Sequence, residues 1–368
     1  MFGHTSFAQE IVFGAGTLAQ LGEAVAGFGW RRLMLCTSGS ARRGGQVAKV
    51  EAALRENLVA VYDHVQPHVP EAQLNEVLAL AVEEKADVVI GLGGGSPIGM
   101  AKAASAALHE KGLPATVVAI PTTYAGSEMT AVYGVTRTVD GVPRKVTVTN
   151  PKIVPRLVIY DPQLTLDLPQ DLTATTGLNA LAHCVEAIYS ITRHPLSTVA
   201  ALEGARHIAR ALPRCYTAGD DLDARTEMML GAHLAGAALA SVVMGLHHGL
   251  CHVLGGTAGV PHGVANSLIL PHAMRFNADA VALQLAQVAE AMGLAREGRS
   301  DEALALAAAQ WVYDLVGQMK APQHLRDVGV AEADLPRLAR LAAESRTVQN
   351  NPKPVTAAQV EEILRAAW

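Results

Sequence analysis

Up to about residue 160 the chain alternates short apolar runs with amphipathic stretches. RRLMLCTS (31–38), LVAVYDHV (58–65), ADVVIGLGGGS (86–96) and ATVVAIPTT (115–123) each read as a strand. Between them, RRGGQVAKVEAALREN (42–57) leads into a helix. EAQLNEVLALAVEEK (71–85) repeats apolar residues at three- and four-residue steps, which is one face of a helix. Buried, doubly apolar strands that alternate with helices predict a parallel sheet covered on both faces. After LVIYDP (157–162) the strand signal stops, and the pattern is helical to Trp368, broken by loops such as AGDD and QNNPKP. The expected architecture is an α/β nucleotide-type domain over 1–160 followed by an all-α domain over 161–368. A cleft between two such domains is the natural place for a site.

One apolar stretch needs separate treatment. MMLGAHLAGAALASVVMGL (228–246) has no charged side chain and by length alone spans a bilayer. It is rich in Ala, Gly and Ser, carries His233, and runs into a cluster of histidines, so it reads as the central helix of the helical domain. The protein is expected to be soluble.

Composition narrows the function. Of 368 residues, 50% are hydrophobic and 17% charged, enough for a large core, while only 4% are aromatic, so Ala, Val, Leu and Gly must do the packing. A formal charge of −5 with no Lys/Arg run argues against a nucleic-acid surface. Cys36, Cys184, Cys215 and Cys251 form no CxxC pair and read as buried free thiols of a reducing, cytoplasmic setting. The first residues, MFGHTSFAQEIVFGAG, lack the basic start and apolar centre of a signal peptide.

Three segments carry chemistry. In GLGGGSPIGMAKAAS a strand ends in glycines and a helix begins, with Ser96 suited to cap it and Pro97 to its first position. Gly93, Gly94 and Gly95 let a ligand approach the backbone, and the helix start favours an anion such as a pyrophosphate. The spacing is not GxGxxG, and a tight turn without ligand is the alternative. In PTTYAGSE (121–128), Thr122, Thr123 and Ser127 can hydrogen-bond a ribose or phosphate, or merely cap a turn. Ser38 stands where an acid would select the ribose 2′-hydroxyl, so NADH and NADPH are both admissible. In the helical half, Asn179 and His183 lie four residues apart on one helix face, and GLHHGLCHVLGGTAGVPHG supplies His247, His248, His252 and His262. His248 and His252 are one helical turn apart. So many imidazoles point to a metal site or to a metal-free oxyanion site.

GGGSPIGMAK, PTTYAGSEMT, GLNALAHCVEA, GLHHGLCHVLGG and VPHGVANSLILPHAMRFN occur in an order and spacing that resemble the iron-containing alcohol dehydrogenase superfamily, over essentially the whole chain. Within it the chain is most similar to the maleylacetate reductase branch. The resemblance implies a Rossmann-like, dehydroquinate-synthase-like first domain and a homodimer. The metal-dependent branch usually has Asp at Asn179 and at Gly99, and the family's metal positions fall on Asn179, His183, His248 and His262, with His252 close by. With Asn in place of Asp the site loses its negative charge, so these four read as vestigial ligand positions, and as catalytic residues together with His252. The implied reaction is NAD(P)H-dependent reduction of the C=C bond of maleylacetate, a dicarboxylate, to 3-oxoadipate, in aromatic-compound degradation. His248 and His252 are the favoured oxyanion partner or proton donor. Lys145 matches a family position near the cofactor. Tyr124 either donates to a substrate carboxylate or packs, and Arg137 and Arg144 are candidate carboxylate anchors. Gly249 and PHGVAN are closer to the alcohol dehydrogenase branch.

Three other readings compete. A metal-dependent alcohol or aldehyde dehydrogenase is favoured by PHGVAN and opposed by Asn179. Dehydroquinate-synthase-like lyases share the architecture but need phosphate-binding basic residues and a zinc-binding acid, and neither set is in place. A non-catalytic NAD-binding protein would bind cofactor without turnover.

Overall fold

The computed structural model describes residues 2–139 and 142–368, without the side chains of 138–145. It divides into one compact unit over Ser6–Leu168 and a second formed by Pro169–Trp368 with Met1–Thr5.

The first unit is built on a parallel sheet. Its strands are β1 (Glu10–Phe13), β2 (Leu33–Cys36), β3 (Leu58–Tyr62), β4 (Val88–Gly93), β5 (Thr116–Pro121) and β8 (Leu157–Tyr160), and their spatial order is β1-β8-β5-β4-β2-β3. Every pairing in it is parallel. Its helices are α1 (Leu21–Phe28), α2 (Gly39–Arg43), α3 (Gln46–Leu54), α4 (Glu71–Glu83) and α5 (Gly95–Glu110). Alternate residues of each strand feed two separate cores, as a pleated sheet requires. Leu33, Leu35, Val88, Ile90, Leu92, Val118, Ile120, Leu157 and Ile159 pack with α1 and α3 residues. Met34, Cys36, Val89 and Val117 pack instead with Leu74 and Val77 of α4 and Met100 and Ala104 of α5. Both faces are covered, which is why the strands read as apolar runs.

Two features depart from the sequence reading. Residues 132–149 contain an antiparallel ribbon of β6 (Val132–Val139) and β7 (Val142–Thr149), which the apolar-run criterion does not detect because polar residues interrupt both segments. Helix α5 begins at Gly95 with Gly94 as its N-cap, so Ser96 lies inside the first turn and is not the cap. Its hydroxyl accepts instead from the His68 amide at 3.3 Å.

The second unit is helical: α6 (Gln170–Tyr189), α7 (Pro195–Thr217), α8 (Leu222–Ser241), α9 (Leu246–Ala258), α10 (His262–Asn277), α11 (Ala282–Ala291), α12 (Asp301–Gln318), α13 (Leu335–Ala343), α14 (Arg346–Gln349) and α15 (Ala357–Ala366). Small residues let α6, α7 and α8 lie close together. A Cβ at Gly204 of α7 would meet Cys184 Sγ at 2.9 Å and the Gly231 carbonyl oxygen at 3.2 Å. The uncharged stretch 228–246 is mostly α8, and no single helix among the described residues is long and apolar enough to cross a membrane.

Buried histidines give this unit an acid-sensitive stability. His272, 7% exposed, is pushed down to about 4 by burial and then by the Arg275 and His324 charges. The unfolded chain takes up this proton near pH 6.5, before the folded one does. Stability is therefore complete above pH 6.5 and is lost as pH falls towards 4, by about 3 kcal/mol for this one group. Denaturant titrations at pH 7.5 and 4.5 should show the loss, and His272→Leu should reduce it; an equal loss in the variant would contradict the assignment.

Candidate functional site

In the first unit the glycine turn and the polar loop sit side by side at the carboxyl edge of the sheet. Gly93 pairs with Pro121 across β4 and β5, and the Thr122 amide donates to the Gly93 carbonyl at 3.0 Å. Gly93 has φ of 138°, in the region that favours glycine, and a Cβ there would meet Pro97 Cγ at 2.8 Å. A Cβ at Gly94 would meet Thr123 at 3.1 Å, whereas one at Gly95 would meet nothing within 4 Å. The backbone at the start of α5 is thus bare and open, a cradle that fits a phosphate group, with the helix start supplying N–H donors. Ser38 holds the N-cap position of α2 without a side-chain capping hydrogen bond; it is partly exposed, with its Oγ 2.8 Å from Ser40 Oγ. Thr123 and Ser127 are partly exposed and Thr122 is buried.

Other candidates in this unit are placed differently. Tyr124 is fully buried. Arg137 pairs with Glu71 at 3.0 Å, so its guanidinium is already engaged with a carboxylate. The side chains of Lys145 and Arg144 lie outside the described residues.

A residue not singled out in the sequence supports the polar loop from beneath. Lys102 of α5 is fully buried, and its ammonium donates to the carbonyls of Ser127, Thr130 (2.6 Å) and Val132 (3.1 Å) and to Thr130 Oγ1 (3.2 Å). Burial pushes it down to about 7, opposed by the Glu128 carboxylate. Glu128 is buried as well and accepts from the Tyr160 hydroxyl at 2.8 Å.

In the helical unit the structure gathers the histidines the sequence scatters. His183 of α6 and His248 of α9 are buried and stacked, with ring centroids 4.9 Å apart. His262, the first residue of α10, lies 6.4 Å from His248, and so does His252. His252 and His262 are exposed and stack on each other at 5.9 Å. Asn179 is buried one turn before His183 on α6. Burial and the neighbouring histidines hold both His183 and His248 well below the ordinary histidine range, so both rings are neutral at pH 7. Gly249 is required by packing: a Cβ there would come within 2.9 Å of the Val348 backbone nitrogen, where α9 meets α14.

The decisive group here is another that sequence reasoning passed over. Glu186, fully buried on α6, takes up the free amides at the start of α9. Its Oε1 accepts from Gly245 N (3.2 Å) and His247 N (3.1 Å), and its Oε2 from His248 N (3.2 Å) and His248 Nδ1 (2.6 Å). Burial raises the Glu186 carboxyl, while His247 and these three amides oppose that. His247, 0% exposed, places Nδ1 3.2 Å from His248 Nδ1 and Nε2 3.0 Å from the Asn266 carbonyl. The signal available in the sequence was that Glu186 is the one acidic residue of α6 beyond its first turn, three residues from His183.

Two donor sets bear on a metal. Glu186, His247 and His248 lie close enough to be considered together. However, ligands around a tetrahedral zinc with bonds near 2.0–2.1 Å stand about 3.3 Å apart. The 2.6 Å contact between Glu186 and His248 is too short for that and is a hydrogen bond through a proton. The second set is Asn179, His183, His248 and His262. His183 Nδ1 and His248 Nε2 are buried with no hydrogen-bond partner among the described residues, so ring nitrogens are available. The set holds one amide and three imidazoles and no carboxylate, which suits a weakly held ion or an oxyanion accepting hydrogen bonds.

Comparison with known proteins covers the whole chain. Residues 8–162 match the iron-containing alcohol dehydrogenase family, and residues 173–368 match the C-terminal part of the Fe-containing alcohol dehydrogenase family. The chain is 38% identical over 368 residues to maleylacetate reductase from Pseudomonas sp. (strain P51), covering 100% of this chain and 97% of that one. The maleylacetate reductase from Delftia acidovorans is similar to the same extent. Among solved structures, maleylacetate reductase from Rhizobium sp. strain MTP-10005 is 33% identical with a TM-score of 0.88, covering 100% of this chain and 98% of that one. A 1,3-propanediol oxidoreductase is 32% identical with a TM-score of 0.94, each chain being covered completely.

Proposed function

The chain belongs to the iron-containing alcohol dehydrogenase family, and from that membership we propose that it reduces the C=C bond of maleylacetate to give 3-oxoadipate, its histidine cluster working without a metal. Bound NADH or NADPH supplies the hydride. Gly93, Gly94, Gly95 and Ser96, with Thr122, Thr123, Ser127 and Ser38, are the groups of this chain assigned to hold the cofactor, and Lys145 is assigned beside them.

The observation that carries the reading is that this donor set contains no carboxylate. Asn179 offers an amide and His183, His248 and His262 imidazoles, with His248 4.9 Å from His183 and 6.4 Å from His262 by ring centroids, and the nearby carboxylate, Glu186, is fully occupied with hydrogen-bond donors. Such a set accepts a dianionic substrate without charge repulsion. When hydride arrives at the double bond, negative charge develops on the enolate oxygen conjugated to it. His248, whose ring is neutral in the resting site, is assigned to take up a solvent proton on Nε2 and, as the imidazolium, to hydrogen-bond that oxygen and protonate it. The resulting enol then loses its O–H proton and takes one up at the adjacent carbon, so that the hydride and this proton are the two hydrogens added across C=C.

A second reading is favoured by the same unpartnered nitrogens. In a metal-dependent alcohol or aldehyde dehydrogenase, Asn179, His183, His248 and His262 would hold a divalent ion, which would polarise the substrate oxygen. The carboxylate behind His248 is an arrangement that metal-binding histidines also use. A homodimer is part of the proposed account, and analytical ultracentrifugation tests it.

The test is an assay of NADH absorbance on adding maleylacetate, with the product identified by mass spectrometry. The proposal expects rapid oxidation and 3-oxoadipate. Oxidation with aldehydes and none with maleylacetate would overturn it in favour of the second reading.

A further inference from the structure

Ring hydrogens on the paired histidines follow from their partners. The Asn266 carbonyl can only accept, so His247 Nε2, 3.0 Å away, bears a hydrogen and donates. In the neutral ring this leaves His247 Nδ1 as a lone pair. That lone pair faces His248 Nδ1 at 3.2 Å, and the Glu186 carboxylate faces the same atom at 2.6 Å. Two acceptors therefore converge on one nitrogen, which must be N–H. The Nε2 of His248 is then the ring atom left for chemistry, and it is the one with no partner among the described residues.

The carboxylate itself cannot turn away. Its oxygens are held by the amides of Gly245, His247 and His248, so the segment that carries His248 also grips the group that orients it. The Tyr189 hydroxyl, one turn further along α6, lies 3.4 Å from Oε1 and holds the other side.

We infer that Glu186 is a positioning residue: it fixes His248 as the Nδ1–H tautomer and aims Nε2 as the single ring atom that exchanges a proton with substrate. His247, anchored on Asn266, is the second lock on the same N–H. The inference rests on the proposed reductase reading for what His248 does, but not for how it is held. When Nε2 takes up a proton, the resulting imidazolium sits against an ionised carboxylate that needs no rearrangement, as carboxylate–histidine pairs in other enzymes do.

The test has two arms. In the native protein labelled with 15N-histidine, two-bond 1H–15N correlations report the tautomer of each ring, with His248→Gln used to assign the signal. The account expects His248 to carry its hydrogen on Nδ1; a neutral ring with hydrogen on Nε2 alone would overturn it. In Glu186→Gln, the retained oxygen still accepts from Gly245 and His247, while the new NH2 replaces the oxygen that accepted from the His248 amide and Nδ1, leaving His247 Nδ1 as the remaining acceptor for that ring hydrogen. The expectation is a kcat for maleylacetate reduction lower by about 10²–10⁴-fold, with KM within about threefold and a raised Nε2–H fraction in the His248 signal. A folded Glu186→Gln protein with native kcat would contradict the role. If that variant does not fold, the native-protein spectrum decides alone. If the native protein leaves maleylacetate untouched, the reductase reading fails while the tautomer signal still decides the part played by Glu186.

Discussion

His248→Gln is expected to lower kcat/KM for maleylacetate by about 10³-fold while leaving the protein folded. The glutamine amide can still donate to Glu186 Oε2, which the ring now engages at 2.6 Å, so the buried carboxylate keeps a partner. What disappears is an atom that can both hold a proton and release it beside the developing oxyanion. His183 cannot take over, because its ring is stacked on His248 and is anchored on a different helix. Steady-state kinetics with circular dichroism as the folding control makes the measurement. A loss of less than tenfold would move the proton-donor role elsewhere, with His252, 6.4 Å away, the next candidate.

Lys102→Met is expected to have the largest effect on stability. The ammonium satisfies the carbonyls of Ser127, Thr130 and Val132 and the Thr130 hydroxyl, and it is the counter-charge to buried Glu128. Methionine fills much of the volume and replaces none of this. Removing one partner of a buried charged network costs about 3–5 kcal/mol, or roughly 10 °C in Tm. The polar loop Thr122–Ser127 loses its support in the same step, so KM for NADH should rise along with the fall in Tm. Differential scanning calorimetry and cofactor titration test both. A Tm within 2 °C of the native value (under about 1 kcal/mol) would show that Lys102 is not the anchor its contacts describe.

How much of this was legible depends on the range of the interactions involved. The sheet, its order of strand and helix, and the change to an all-helical second half follow from local periodicity, because each element buries its own apolar face. The histidine cluster was legible for a similar reason. Asn179 with His183, and His248 with His252, are neighbours one turn apart on α6 and α9, and the family resemblance joined the two pairs. The ribbon of β6 and β7 escapes the apolar-run criterion, although VTVT (146–149) alternates and Asp140-Gly141 between the two segments is a hairpin signal. Continuously apolar runs mark the strands of a buried parallel sheet and not those of a two-stranded ribbon.

Glu186 and Lys102 were missed for a different reason. Each is a charge within the buried stretch of its helix, and its meaning comes from partners far away in sequence. Glu186 is satisfied by amides some sixty residues later, at Gly245, His247 and His248. Lys102 is satisfied by carbonyls on the loop after β5. Helical periodicity places such a residue on a buried face but does not say what waits there. A buried charge must be paired, so a solitary Glu or Lys in an apolar helix is itself a signal for a site that sequence reading can use.

The account's central claim is that this histidine cluster reduces maleylacetate without a metal ion. It is tested most directly by dialysing the purified protein exhaustively against chelator, measuring residual iron and zinc by mass spectrometry, and following NADH oxidation with maleylacetate. The account predicts an undiminished rate at a metal content far below one ion per chain. A rate that vanishes with the metal and returns when zinc or iron is restored would contradict it.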